Sequence, residues 1–492
     1  MRVSTFVKSN LKTLLLLVCI LSTSSPINAI EIVSYEPVVI DGVIYCIPSS
    51  WKWSDSLSGR YRSYAAAMGV VDGFTGHAII QSYVTFTGSD GRLITMTVES
   101  IGTQPEALDE YFDEFNYGSG AFGFVGETGL TGVTIPETVT TITGFFDCPG
   151  LTSIHIPKSV MSLGSTYVDG IGIFEYSRPF QGCSNLERIT VDEENPNYDS
   201  RGDCNAIIQT WSNELLVGCK NTVIPDGVES ISIDAFASAS LAQTGCGEFE
   251  SLCRIKEIHI PSSMTYIEES TSIYDSRMFT GLNPFRFCNS LSVITVDNGN
   301  PVYDSRDNCN ALIETETNTL LAGCNNTSIP KTISKINNAA FEGSGITSIV
   351  IPSSVTEIGA RAFYYCNSLK SITCERMTPP EAELLFGHYE NLMEYHDEIP
   401  DYYDCVTLYV PQSAIAAYRN HEEWGKFHHF KSINNGSVCD VNGDGEVNIA
   451  DLNNVIHIIC TGYAYLINYD VNGDGEVNIG DANTIIDIIL HY

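Results

Sequence analysis

One phrase of 23 residues recurs along the middle of this chain and constrains its fold more than any other feature. Residues 346–372 carry it most clearly: Ile346, Ile349, Ile351, Val355, Ile358 and Phe363 are apolar, Cys366 follows, and Leu369 begins the next copy. The phrase opens again at Leu130, Leu151 and Ile255, each time as a short alternating strand closed by a proline, Pro136, Pro157 or Pro261. Proline cannot donate the next ladder bond, so the strand stops there. A unit of this length holds one strand and one return segment, and it buries its apolar face only against neighbouring copies. The copies must stack into a solenoid, and function then lives on surfaces and loops.

The prolines mark the period. Pro136 and Pro157 are 21 residues apart and Pro330 and Pro352 are 22 apart, while Pro157 to Pro225 is 68 and Pro261 to Pro330 is 69, each close to three units. On this reading the coils are nearly constant in length. A larger copy also exists, because Cys183, Cys204 and Cys219 recur 105 residues later as Cys288, Cys309 and Cys324. Breaks in the period near residues 164–179 and 237–252 read as loops that project from the stack, where binding residues collect.

The pattern L-x-x-I-x-I-P-x-x-V-x-x-I-x-x-x-A-F-x-x-C resembles the BspA-type leucine-rich repeats of bacterial surface proteins over roughly residues 92–432. The resemblance implies extracellular display and adhesion to host or bacterial surface glycoproteins or glycans, without a catalytic site. ITCERMTPPEAELLF, VTLYVPQSAIAAYRN and WGKFHHFKSI resemble the family's C-terminal cap, which closes the last coil against water.

Four Phe-x-x-Cys pairs, Phe145 with Cys148, Phe180 with Cys183, Phe285 with Cys288 and Phe363 with Cys366, fall at one position of the coil. They read as buried, stacked thiols. Ser344 takes the same slot after Phe341, which suits a small buried filler and not a disulfide partner. Cys246 with Cys253 and Cys439 with Cys460 stay open as disulfides, since spacing alone does not decide pairing.

The first 29 residues read as a secretory signal, with Arg2, Lys8 and Lys12 ahead of the apolar run Leu14 to Leu21 and Ala29 as the small residue at the cleavage point. Val18, ahead of Cys19, argues against a lipid anchor there. Removing this segment takes the formal net charge from −35 to −38 and leaves 15 of 16 cysteines, an odd number that excludes a complete disulfide framework. So acidic a chain repels phosphate backbones and anionic lipid, which excludes nucleic acid as a partner. After the leader no stretch reaches the roughly 18 apolar residues that membrane insertion needs. Residues 30–91 are strand-like, with a turn signal at Asp41 and Gly42; they read as an N-terminal β cap or a small separate domain.

The motif that carries chemistry lies near the C-terminus, where DVNGDGEVNIAD begins at Asp440 and DVNGDGEVNIGD begins at Asp470. Calcium takes six to eight oxygen ligands, and a loop with oxygens at positions 1, 3, 5, 7, 9 and 12 can wrap them round one ion. In the first loop these are Asp440, Asn442, Asp444, Glu446 through its backbone carbonyl, Asn448 and Asp451; in the second they are Asp470, Asn472, Asp474, Glu476, Asn478 and Asp481. Gly445 and Gly475 stand sixth, where the loop turns sharply. Each loop runs into an apolar helix, whereas the stretch before the first loop, Ser432 to Cys439, is rich in Asn, Gly and Ser. One loop with one helix is half an EF-hand, and two in tandem over residues 433–492 resemble a type I dockerin. That resemblance implies two calcium ions and docking onto a cohesin, the partner module of scaffold proteins in polysaccharide-degrading assemblies. It also implies that loop positions 10 and 11, here Ile449 with Ala450 and Ile479 with Gly480, help choose the partner.

The expected fold is thus mainly β: a leucine-rich-repeat solenoid with N- and C-terminal caps, followed by a small α-helical calcium-binding dockerin domain. No Gly-x-Ser-x-Gly elbow, zinc helix or phosphate loop occurs. Acidic groups such as Asp192, Glu193 and Glu194 read as solvated faces, and the adjacent His428 and His429 as a solvated pair. Trp51, Trp53, Trp211, Trp424, Tyr364 and Tyr365 are candidate sugar platforms that packing also explains. Three functions remain: a non-catalytic binding protein on a dockerin tether, which is favoured, a carbohydrate-active hydrolase with its catalytic region in residues 30–91, and a structural spacer.

Overall fold

A strand that alternates apolar and polar residues buries one side and wets the other, and this rule organises the solenoid. The computed structural model describes residues 37–47, 64–88, 91–102, 123–168, 174–177, 179–180, 182–232, 235–236, 254–267, 270–272, 279–281, 283–387, 402–433, 439, 441, 447–461, 471–472 and 477–491. The proposed leader lies outside them.

The Ile-x-Ile-Pro strands form one face. Leu130–Thr134, Ser153–Ile156 and Arg188–Val191 pair in parallel, with Gly76–Ile79 joined at the far side. Glu257–Ile260 pairs with Val293–Val296, and Ser348–Ile351, Ser371–Cys374, Thr407–Val410 and His429–Ser432 make a further parallel sheet. Ile154 and Ile156 point inward while His155 faces water and meets Thr190 on the next strand. Four of these strands end directly before Pro157, Pro261, Pro352 and Pro411. Proline then starts the turn: the Pro157 carbonyl accepts from Val160 N–H and the Pro352 carbonyl from Val355 N–H. That turn carries the chain to the opposite face, where short strands such as Lys335–Ile336, Glu357–Ile358 and Glu381–Ala382 stack in parallel. The interior of one coil, from Ile346 to Cys366, is at most 3% exposed at Ile346, Ile349, Ile351, Val355, Ile358 and Phe363. Each such side chain contributes about 1.5–3 kcal/mol by leaving water.

The coils are less uniform than the proline spacing suggests. Ser153 pairs with Gly132, 21 positions earlier, but also with Arg188, 35 positions later. The extra residues between Ser153 and Arg188 include an antiparallel hairpin of Ser165–Val168 and Phe174–Ser177, at the first break in the period. The second break, 237–252, lies outside the described residues. The 105-residue copy is also not a run of plain coils. Tyr198–Asp199, Ala206–Gln209 and Glu214–Gly218 form an antiparallel meander, and Tyr303–Asp304, Ala311–Glu314 and Thr319–Gly323 repeat it in the same register. In each, an arginine grips the aspartate two residues before it with both ends of its guanidinium, Arg201 on Asp199 and Arg306 on Asp304. The last residue of the second meander is Gly323, where a Cβ would stand 2.1 Å from the Phe341 ring.

Along the third edge the Phe rings stack. Centroids are 4.9 Å apart for Phe124 and Phe145, 5.4 Å for Phe145 and Phe180, and 5.5 Å for Phe341 and Phe363. Cys148, Cys183, Cys288 and Cys366 are buried beside them, as their shared position in the coil implies.

Near the N-terminal end, Val38–Ile40 and Val43–Cys46 make a hairpin that turns at Asp41 and Gly42, both with positive φ, as Asp-Gly turns require. Val43, Tyr45 and Phe86 share one continuous core with Phe124, Ile154 and Ile207. At the other end, helix Ile415–Arg419 and the buried Trp424 cover the last coils, and the Trp424 indole N–H donates to the Pro380 carbonyl at 2.8 Å. Helices Ile449–Thr461 and Ile479–His491 form a separate small core around Val455, Ala482 and Ile485. Cys439 is buried there while Cys460 is exposed, and no disulfide joins them. Cys246 and Cys253 lie outside the described residues.

Candidate functional site

The two C-terminal helices begin in the same way. Asn448 caps the first: its Oδ1 accepts the Ala450 N–H at 2.7 Å, and Asp451 reaches back to accept the Asn448 N–H at 2.8 Å. Asn478 does the same for the second, accepting from Gly480 at 2.7 Å, while Asp481 Oδ2 accepts from Asn478 N–H at 2.8 Å. Such a reciprocal pair is an ordinary helix-capping box. After it, Leu452, Val455 and Ile459 fall on one face of the first helix, and Ala482, Ile485 and Ile489 on one face of the second, which is why the two pack together.

Capping leaves two observations unexplained. Asp481 Oδ1 also accepts from the N–H groups of Val471 and Asn472, at 2.6 and 3.1 Å, so one carboxylate ties the start of its loop to the ninth and twelfth positions. Asp451 and Asp481 are moreover fully buried, at 0% exposure. Residues 433–492 hold nine Asp and Glu and no Lys or Arg, and among the described residues no Lys or Arg pairs with Asp481. A buried carboxylate that keeps its charge without a cation is costly. Three backbone N–H groups offset part of that cost at Asp481, and the oxygen-only side chains of the two loops are of the kind that suits a divalent cation. Asp440, Asn442, Asp444, Glu446, Asp470, Asp474 and Glu476 lie outside the described residues; Asn448, Asp451, Asn472, Asn478 and Asp481 are within them. Ile449 and Ile479 stand 67% and 66% exposed at the first turn of each helix, with Ala450 and Gly480 half-buried beside them.

The aromatic candidates separate cleanly. Trp424 is core, Trp211 is 77% exposed beyond the strand Ala206–Gln209, and Trp51 and Trp53 lie outside the described residues. His428 and His429 both approach Asp404 Oδ1, at 3.1 and 3.7 Å, and all three side chains are exposed.

A further site was not legible as one. The residue before the Cys or Ser slot is left-handed in every coil where it is described: Asp147, Gly182, Phe287, Gly343 and Tyr365 all have φ between 50° and 77°. Glycine takes this conformation freely, whereas another residue gives up about 1–2 kcal/mol. Phe287 and Tyr365 nonetheless place aromatic rings there, on either side of the Gly343 coil. That coil bonds to both neighbours, through Phe287 N–H to the Glu342 carbonyl and Gly343 N–H to the Tyr364 carbonyl. Because Gly343 has no side chain, the two rings lean over it to a centroid distance of 5.7 Å, tilted by 55°. Below them Glu342, 2% exposed, sits between Arg361 at 3.3 Å and Arg286 at 3.8 Å. Burial, then the neighbouring Tyr364, pushes the Tyr365 hydroxyl above its ordinary range and keeps it neutral. A groove of about 260 Å³ opens here, lined by Phe287, Tyr365, Asn289, Asn367, Ser344 and Ser368 among others. The only signal in the sequence was the alignment of Phe287 and Tyr365 with glycines of neighbouring coils.

The pattern described as "BspA type Leucine rich repeat region" matches residues 119–202, 217–300 and 316–393 in six copies, together half of the chain. No curated protein matches the chain in sequence. Among solved structures, a leucine rich cell surface protein from Faecalibacterium prausnitzii A2-165 is 18% identical over 80% of this chain and 86% of its own, with a TM-score of 0.32. The pneumococcal vaccine antigen PcpA is 14% identical over 77% of this chain and 95% of its own, with a TM-score of 0.31. A leucine-rich repeat protein from Bacteroides ovatus ATCC 8483 is 18% identical over 81% and 76%, again with a TM-score of 0.31. With its stacked coils, proline-ended strands and six matched copies, the chain belongs to the BspA-type leucine-rich-repeat family.

Proposed function

We propose that this chain is a secreted, non-catalytic binding protein. Its solenoid recognises a macromolecule, and its last 60 or so residues are a type I dockerin module that folds round two calcium ions and docks onto a cohesin of an extracellular assembly. The observation that carries the reading is the full burial of Asp451 and Asp481 in a segment without a single Lys or Arg. Calcium would bring positive charge to this acidic segment, with oxygens of Asp440, Asn442, Asp444, Glu446, Asn448 and Asp451 holding one ion and Asp470, Asn472, Asp474, Glu476, Asn478 and Asp481 the other. Ile449 and Ile479, exposed at equivalent positions of the two helices, suit docking through either half.

Export is supported by the charged and apolar leader pattern, and by a solenoid whose repeat is that of a family of bacterial surface proteins. Among the described residues no helix is long and apolar enough to cross a membrane. The test is retention of the full-length mature chain on an immobilised type I cohesin, with calcium and with excess chelator. Retention with calcium that is lost on chelation supports the reading. Failure of a panel of cohesins to retain the chain in either condition would remove the docking claim.

A further inference from the structure

Resting on the reading of the solenoid as the recognition surface, we propose that the cleft between Phe287 and Tyr365 is a saccharide subsite that takes one ring of a neutral oligosaccharide. Three observations converge on it.

First, both aromatics occupy left-handed backbone positions, φ 60° and 54°, that the other coils fill with the small residues Asp147, Gly182 and Gly343. Strain of this kind persists where function uses it. The stacking needs only a compact residue here, so the rings answer to something other than the coil.

Second, the cleft chemistry is mixed in one particular way. The two tilted rings are half-buried, so part of each faces solvent, and the exposed Asn289, Asn367 and Ser368 place two amides and a hydroxyl around them. None of these groups is charged, although the chain carries a net −35. An anionic ligand finds no countercharge in the lining, and a hydrocarbon would strip water from the amides without replacing its hydrogen bonds. A pyranose offers what is required: an apolar face of C–H groups for a ring, and a rim of hydroxyls for the amides.

Third, the groups are held in place before any ligand arrives. The Tyr402 hydroxyl donates to Asn367 Oδ1, leaving that amide to act as a donor; Ser290 Oγ donates to Asn289 Oδ1 at 3.2 Å, and Asn325 Nδ2 fixes the Asn289 backbone carbonyl at 2.7 Å. Pre-set groups lose little freedom on binding. The volume of about 260 Å³ lies below the roughly 300–1,000 Å³ of clefts for larger ligands, so one ring enters and the rest of the chain runs along the coil edge.

The test uses the full-length mature protein and saturation-transfer difference NMR with cellotetraose, xylotetraose and maltotetraose, with tetragalacturonate as the anionic control. At least one neutral tetrasaccharide should give a signal. Tyr365→Gly and Phe287→Gly should each weaken it by about tenfold or more, a factor equal to about 1.4 kcal/mol, while the thermal midpoint stays level or rises, since glycine relieves the backbone. Ser368→Trp, at an exposed position that fills the groove without touching the core, should abolish the signal in a folded protein. Chelating calcium should leave the signal intact, so loss of cohesin docking and loss of sugar binding are read separately. No signal from any neutral tetrasaccharide, or a signal that survives Ser368→Trp, overturns the proposal, as does a preference for tetragalacturonate.

Discussion

Ser344 Oγ lies 3.6 Å from Cys366 Sγ, the hydroxyl of one coil against the thiol of the next. The Cys366 thiol donates in turn to the Phe341 carbonyl at 3.0 Å. The slot therefore asks for a small side chain with a weak donor, which either residue supplies, and a disulfide has no place in it.

Burial pushes the Cys366 thiol up to about 12, and it raises Cys374 as well. Thiolate is the reactive form, so these groups are inert in the fold. Iodoacetamide at neutral pH should label Cys405 and Cys460, which are exposed, and leave Cys148, Cys366 and Cys374 unlabelled until denaturant is added. Peptide mass spectrometry reads this directly, and labelling of native Cys366 as fast as Cys405 would contradict the stacked-thiol account.

The same thiols tie stability to alkaline pH. Cys204 and Cys309 rise by burial from an ordinary 9.0 to about 11, and Cys366 to about 12. The folded state then holds protons that the unfolded chain releases above pH 9, so stability falls as pH rises. This contribution is whole below about pH 9 and is lost progressively up to about pH 11–12. Thermal midpoints measured by circular dichroism should hold steady from neutral pH to about 8.5 and then decline. A midpoint unchanged at pH 10.5 would count against buried thiols.

Phe363 is fully buried between the rings of Phe341 and Phe386, at 5.5 and 6.4 Å. Phe363→Ala should cost about 3–5 kcal/mol. Because neighbouring coils stabilise one another, hydrogen exchange should quicken in the coils on both sides of 363 and not at Ile154 or Ile207. A loss under 1 kcal/mol in chemical denaturation would mean the ring ladder does not bear on stability.

What the chain discloses without coordinates depends on the range of the interactions. Strand ends at Pro157 and Pro352, the Asp41–Gly42 turn and the common slot of Cys148 and Cys366 are set by a few neighbouring residues, and they were readable. The meander was not. AIIQ and ELLVG are short apolar runs that suit a coil strand as well as an antiparallel pair, and only the pairing of Ala206 with Gly218 decides. Nor was the constancy of coil length sound, since the hairpin at Ser165–Val168 and Phe174–Ser177 adds residues without disturbing the stack. The groove escaped notice because the left-handed backbone of Phe287 and Tyr365 has no local signal in an aromatic residue. In the tail, twelve-residue spacing named Asp451 and Asp481, but their burial and the loop N–H groups they gather emerge only from the fold.

Hydrogen exchange of the intact mature protein, with calcium and with excess chelator, tests the central claim most directly. Peptides covering Ile449–Thr461 and Ile479–His491 should be protected with calcium and should exchange rapidly without it, while Ser348–Ile351 and Ser371–Cys374 keep their protection in both. Equal protection of the two helices after chelation would contradict the account, because the helices would then fold without an ion.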